Sequence, residues 1–125
     1  MMNDELAKPE SAEPTAAPGI NIKMLAKGTT LLLEGDNDLY ELVVQYPEYG
    51  IVEVTSTNPA LRQPTVGQFM HSAHGSHPGL KLNVIQQGWA MILRFSNGQL
   101  QTQPIASARV RGTRPDGSHW SYDVF

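Results

Sequence analysis

From about residue 20 to the last residue, hydrophobic and polar positions alternate with a period of two, the spacing of half-buried strands. Thr29–Glu34 (TTLLLE) is β-branched and apolar, and the turn-forming run GDND, Gly35–Asp38, follows it. The stretch LYELVVQYPEYGIVEVTST then reads as a hairpin. A three-residue loop Glu48–Tyr49–Gly50, with Gly50 in the left-handed conformation, places Tyr46 opposite Val52, Val44 opposite Val54 and Leu42 opposite Ser56.

Two further hairpins follow from the same pattern. In WAMILRFSNGQLQTQPI the Asn97–Gly98 pair predicts a type I′ turn, with Phe95 opposite Leu100 and Leu93 opposite Thr102. Trp89, Met91, Leu93 and Phe95 then share a face, and Pro104 marks an edge or an end, because proline has no N–H for a ladder. In ARVRGTRPDGSHWSYDVF, Pro115–Asp116–Gly117 predicts a type I turn closed by a left-handed glycine. That register sets Val110 against Tyr122, Ala108 against Val124 and Arg109 against Asp123, and lays the Trp120 indole over the bare Gly112.

The middle of the chain is less regular. Asn58–Thr65 (NPALRQPT) reads as a helical turn between two prolines. Thr65–Val66–Gly67–Gln68 has the form of a capping box, which predicts at most one short helix there. Leu80, Leu82 and Val84 alternate as a strand within Leu80–Gly88. The fold class expected is therefore all-β: a small antiparallel barrel or sandwich of six to eight short strands built from hairpins. Residues 1–19, rich in Ala, Pro and Glu, read as a disordered acidic tail, and 20–125 as a single β domain.

Composition narrows the function classes. The 125 residues include no cysteine, which excludes disulfides, thiolate metal sites and a cysteine nucleophile. The first residues lack the basic and apolar regions of a signal peptide, and no stretch has the length of a membrane span, so a cytoplasmic location is the expectation. The net charge of −3 hides a division. Residues 21–57 hold six acids against two lysines, whereas 58–125 hold six bases against two acids. Such polarity suits halves that pack together, or a basic side that meets an acidic partner or a second copy.

The histidine run FMHSAHGSHPG draws attention first. His71, His74 and His77 recur at a spacing of three, which is not the i, i+4 pairing of a helical zinc motif. A loop folded around one ion would bring the three together as metal ligands, so a divalent metal is the cofactor to consider; no other is implied. No acid lies between Glu53 and Asp116 to assist them, and the simpler reading is a solvated polar loop. Ser72 or Ser76 beside a histidine lacks the nucleophile-elbow motif, so no catalytic residue is assigned. Glu34, Asp36, Asp38 and Glu41 lack the order of a calcium loop and read as turn residues with local bonds. His119 falls on the outward face of the last hairpin as a solvated strand residue.

Arg109, Arg111 and Arg114 form a basic strip that, beside aromatics, suits a partner or single-stranded nucleic acid. Tyr49, at a hairpin tip, is the aromatic expected to stand exposed. These features point to a non-enzymatic binding or assembly module with a protein partner or self-association. The alternatives are a metal-dependent protein using His71, His74 and His77, and, less directly supported, oligonucleotide binding along the arginines.

Overall fold

Alternate burial is what turns these segments into strands: Leu31 and Leu33, Leu42 and Val44, Val52 and Val54, and Met91 and Leu93 are all at most 2% exposed, and each pair sits two residues apart on one face. The computed structural model describes residues 18–75 and 79–125. Among these, eleven strands form: β1 (Gly19–Asn21), β2 (Thr30–Glu34), β3 (Leu39–Tyr46), β4 (Ile51–Ser56), β5 (Thr65–Ala73), β6 (Leu80–Leu82), β7 (Val84–Gln86), β8 (Ala90–Phe95), β9 (Gly98–Pro104), β10 (Ser107–Thr113) and β11 (His119–Asp123). Short 3₁₀ turns occupy Ile22–Met24, Pro47–Tyr49 and Pro59–Leu61. All strand pairs are antiparallel. Among the described residues no helix is long and apolar enough to cross a membrane.

The main sheet runs β9–β8–β5–β4–β3–β2–β10–β11, with β6 paired to β5, and its ladder does not close into a barrel. The chain itself links the two halves: β9 passes through the fully buried Ile105 into β10, six places away along the sheet. Gly88 N–H donates to the Ile105 carbonyl, and Ile105 N–H to that of Trp89, so the bend is pinned on both sides. The two-stranded β1–β7 ribbon brings Ile20, Ile22 and Ile85 into the same apolar cluster as Leu31, Leu42 and Phe69. Ser72 ties that ribbon to β5: its buried hydroxyl donates to the Val84 carbonyl at 2.7 Å and accepts from Gln86 N–H at 3.2 Å.

The third hairpin has the register read from the sequence, with Arg109 opposite Asp123, Val110 opposite Tyr122 and Gly112 opposite Trp120. A side chain at Gly112 would run into the Trp120 ring, so the glycine is what lets the indole lie flat there. The other two hairpins are shifted. Val44 faces Val52 and Leu42 faces Val54, because Pro47–Tyr49 forms a 3₁₀ turn and a bulge between Val44 and Tyr46 absorbs one residue. Gly50 does take the left-handed conformation, at φ 68°. In the second hairpin Gly98 already pairs with Phe95, which moves the turn to Ser96–Asn97 and sets Leu93 against Leu100.

Thr65–Ala73 is a strand rather than the start of a helix. The would-be capping residue Gln68 instead accepts from Arg94 Nη2 and donates to the Tyr49 carbonyl, and β4 and β8 supply the backbone partners of β5. The Leu80–Gly88 segment is also corrected. Asn83, at φ 63°, breaks it into β6 and β7, and Leu80 and Leu82 stand 56% and 66% exposed. The helical turn expected between the prolines is present at Pro59–Leu61, capped by the Asn58 side chain. β1 opens at Gly19, preceded by Pro18, whose carbonyl accepts from Gln87 N–H, and residues 1–17 of the expected tail fall outside the described residues.

Candidate ligand cleft

Cross-strand pairing assembles one surface from two strand pairs, β2–β3 and β10–β11, that lie far apart in sequence. On the outward face, Leu32 has Glu41 directly opposite on β3 and Arg109 directly opposite on β10, and Arg109 in turn faces Asp123 on β11. The row is thus Glu41–Leu32–Arg109–Asp123, with neighbours about 5 Å apart. The row beside it holds Leu39, Glu34 and Ser107. Together with Phe125 these residues line an open cleft of about 580 Å³.

Its floor is apolar and its rim is acidic. Leu39 is 53% exposed, and Leu32 and Phe125 are half-buried. Three carboxylates stand around them against one guanidinium, and that guanidinium is engaged: Arg109 Nε lies 2.8 Å from Asp123 Oδ1. With the two side chains 53% and 69% exposed, the pair contributes ~0.2–1 kcal/mol. Glu34 accepts from the Ser107 hydroxyl at 2.9 Å, and Arg111 approaches Glu41 only at 3.9 Å. The chemistry favoured is an apolar contact flanked by negative charge.

Of the arginines singled out in the sequence, Arg109 and Arg111 share one face of the last hairpin and Arg114 sits at its turn. Arg109 and Arg111 meet Asp123 and Glu41, while Arg114 donates to the Ser118 hydroxyl and the His119 carbonyl across the hairpin turn. Trp120 and Tyr122 stack at 5.6 Å with ring planes 15° apart, on the face opposite Arg109 and Arg111. A strand therefore separates the basic strip from the aromatics that a nucleobase would stack on. Tyr49 is 67% exposed, as its place beside Gly50 implied, and borders a hollow of about 230 Å³ with Lys23 and Met70.

His71 and His74 do not share one loop. His71 lies inside β5, paired with Leu82 and Ile92, and His74 follows the strand's end with its ring 5.7 Å from that of Trp89. His77 lies outside the described residues. Among the described residues no three His, Asp or Glu side chains gather as a metal site. Ser72, between His71 and Ala73, points inward to Val84 and Gln86 rather than toward either histidine.

The acidic turn is a structural node. Gly35 N–H donates to the Asp38 carbonyl, and the Asp38 carboxylate accepts from the Thr57 hydroxyl and from Gln103 Nε2. Gln103 Oε1 in turn accepts from the Tyr40 hydroxyl at 3.1 Å. Burial foremost, with the Asp38 charge beside it, pushes the Tyr40 phenol above its ordinary value of 10.0, against the lowering effect of its bonds to Gln103 and Asn58. The network fastens the β2–β3 turn, and so the Glu34 and Leu39 wall of the cleft, to β9.

No protein-family model, curated protein or solved structure matches the chain.

Proposed function

We propose that the chain is a non-enzymatic binding module whose cleft over β2 takes a small apolar ligand bearing a positive charge. The observation that carries this reading is the cleft's composition. The exposed Leu39 and half-buried Leu32 lie on its floor beside Glu34 and Glu41, with Asp123 and Arg109 paired to each other. A volume of about 580 Å³ falls within the ~300–1,000 Å³ of small-molecule pockets, where an apolar lining supplies affinity and a few polar groups set orientation. An ammonium group on an apolar body leaves water for a site that can pair it with carboxylates, whereas a carboxylate on the same body meets repulsion.

The test uses the full chain with labelled leucine methyl groups, titrated separately with hexylammonium and hexanoate. Saturable shifts at Leu32 and Leu39 with hexylammonium, and none with hexanoate, support the reading. Equal responses to both, or shifts confined to other leucines, reject it.

A further inference from the structure

The two ends of the main sheet are not alike. β9 is blunted by a register shift between Gln101 and Pro104 and by Pro104 itself, devices that discourage further pairing. β11, with the sequence HWSYD, carries no proline, lysine or bulge, and has β10 on one side only.

Which backbone groups β11 presents follows from the bonds at the hairpin's two ends. Arg114 N–H donates to the Ser118 carbonyl at 2.7 Å, and Val124 N–H to that of Ala108 at 2.9 Å. Bonded and non-bonded pairs alternate in an antiparallel ladder. Trp120 and Tyr122 therefore turn their N–H and C=O groups toward β10, and His119, Ser121 and Asp123 turn theirs outward. One of these outward groups, the His119 carbonyl, is met by Arg114 Nη1 at 3.1 Å, which leaves its second lone pair open.

We infer that β11 pairs antiparallel with β11 of a second copy, about a two-fold axis through Ser121. In that register Ser121 faces Ser121, His119 faces Asp123 and Trp120 faces Tyr122. The outward-facing residues are the ones this register sets opposite one another, which yields about six backbone hydrogen bonds between copies. The side chains agree. Histidine meets carboxylate at both ends, and the 55% exposed Tyr122 gains an aromatic neighbour beyond its own Trp120. Shifting by two residues toward either end loses both histidine–carboxylate pairs and shortens the overlap. The partner's His119 also comes to stand beside Asp123 on the rim of the cleft, although the pairing does not depend on what the cleft binds.

The chain's lack of cysteine makes the register directly readable. Facing Cα atoms in a bonded antiparallel pair lie ~5.5 Å apart, within the reach of a disulfide. Ser121→Cys, mildly oxidised, should run largely as a covalent dimer, whereas the equally exposed Ser118→Cys, whose copies would lie roughly 20 Å apart, should not. Ser121→Pro removes an outward N–H that no β10 group uses. It should sediment as a monomer at concentrations where the wild type is dimeric, and its urea midpoint should match that of wild type diluted to the monomer, since pairing itself stabilises the folded state. Cross-linking of Ser121→Cys no faster than that of Ser118→Cys, or wild type that stays monomeric at ~100 µM, would overturn the inference.

Discussion

Replacing Ser72 with alanine tests whether the β1–β7 ribbon is held to the sheet by one hydroxyl. The hydroxyl serves two backbone groups at once, the Val84 carbonyl at 2.7 Å and Gln86 N–H at 3.2 Å, from a side chain with no exposure. Ile22 N–H to Asn83 O and Gln87 N–H to Pro18 O fix the alternation of the ribbon and turn the Val84 and Gln86 groups away from β1, toward β5. A buried group deprived of its partner costs about 1–3 kcal/mol. Val84 is only half-buried and the Gln86 bond is long, so both contributions belong at the lower end, and the expected loss is about 2–3 kcal/mol. With a urea slope of ~1.5 kcal/mol per molar, the midpoint should fall by roughly 1.3–2 M at unchanged slope. Amide exchange at Gln86 should quicken together with that midpoint shift. A loss below about 0.5 kcal/mol with Gln86 protection intact would refute the reasoning, since a surface hydroxyl costs that little.

Other outcomes follow from the same contacts. Gly112→Ala must lift the Trp120 ring from β10, since a side-chain carbon there would overlap it; equilibrium unfolding should register a loss of ~1–3 kcal/mol, with a change in near-ultraviolet circular dichroism. Tyr40 gives a pH dependence whose sign is set by its raised phenol. The folded state favours the protonated form, so this contribution is complete below 10.0 and is lost as pH climbs through the higher folded value. Tyr40→Phe should flatten that alkaline decline in melting temperature, and parallel declines in the two proteins would contradict the assignment.

How much of this was legible in the sequence depends on what fixes a register. In the last hairpin two unrelated features, the Trp120–Gly112 fit and the Arg109–Asp123 charges, select the same pairing, and that pairing is present. In the first two hairpins the apolar pattern alone had to decide. A slip of two residues keeps every side chain on its face, so Val44 opposite Val52 and Val44 opposite Val54 look alike until the turn at Pro47–Tyr49 is seen. The capping-box motif at Thr65 failed because two neighbouring strands outweighed a local preference.

The cleft was legible only in part. Arg109 and Asp123 could be paired from sequence, but Leu32 joins them through the β2–β10 ladder, which spans most of the chain. The densest chemical run in the sequence proved the less informative one. His71 and Ser72 are strand residues, and Ser72 serves the ribbon rather than a reaction.

The most direct test of the binding account is the cleft's preference for cation over anion, measured by calorimetric titration of hexylammonium and hexanoate against wild type and a Glu34→Gln/Glu41→Gln variant. Both glutamates are exposed, and neither supports the apolar cluster. The account predicts that wild type prefers hexylammonium by at least about tenfold, or roughly 1.4 kcal/mol, and that the variant loses most of that preference while its melting temperature holds. An unchanged preference in the variant would contradict it.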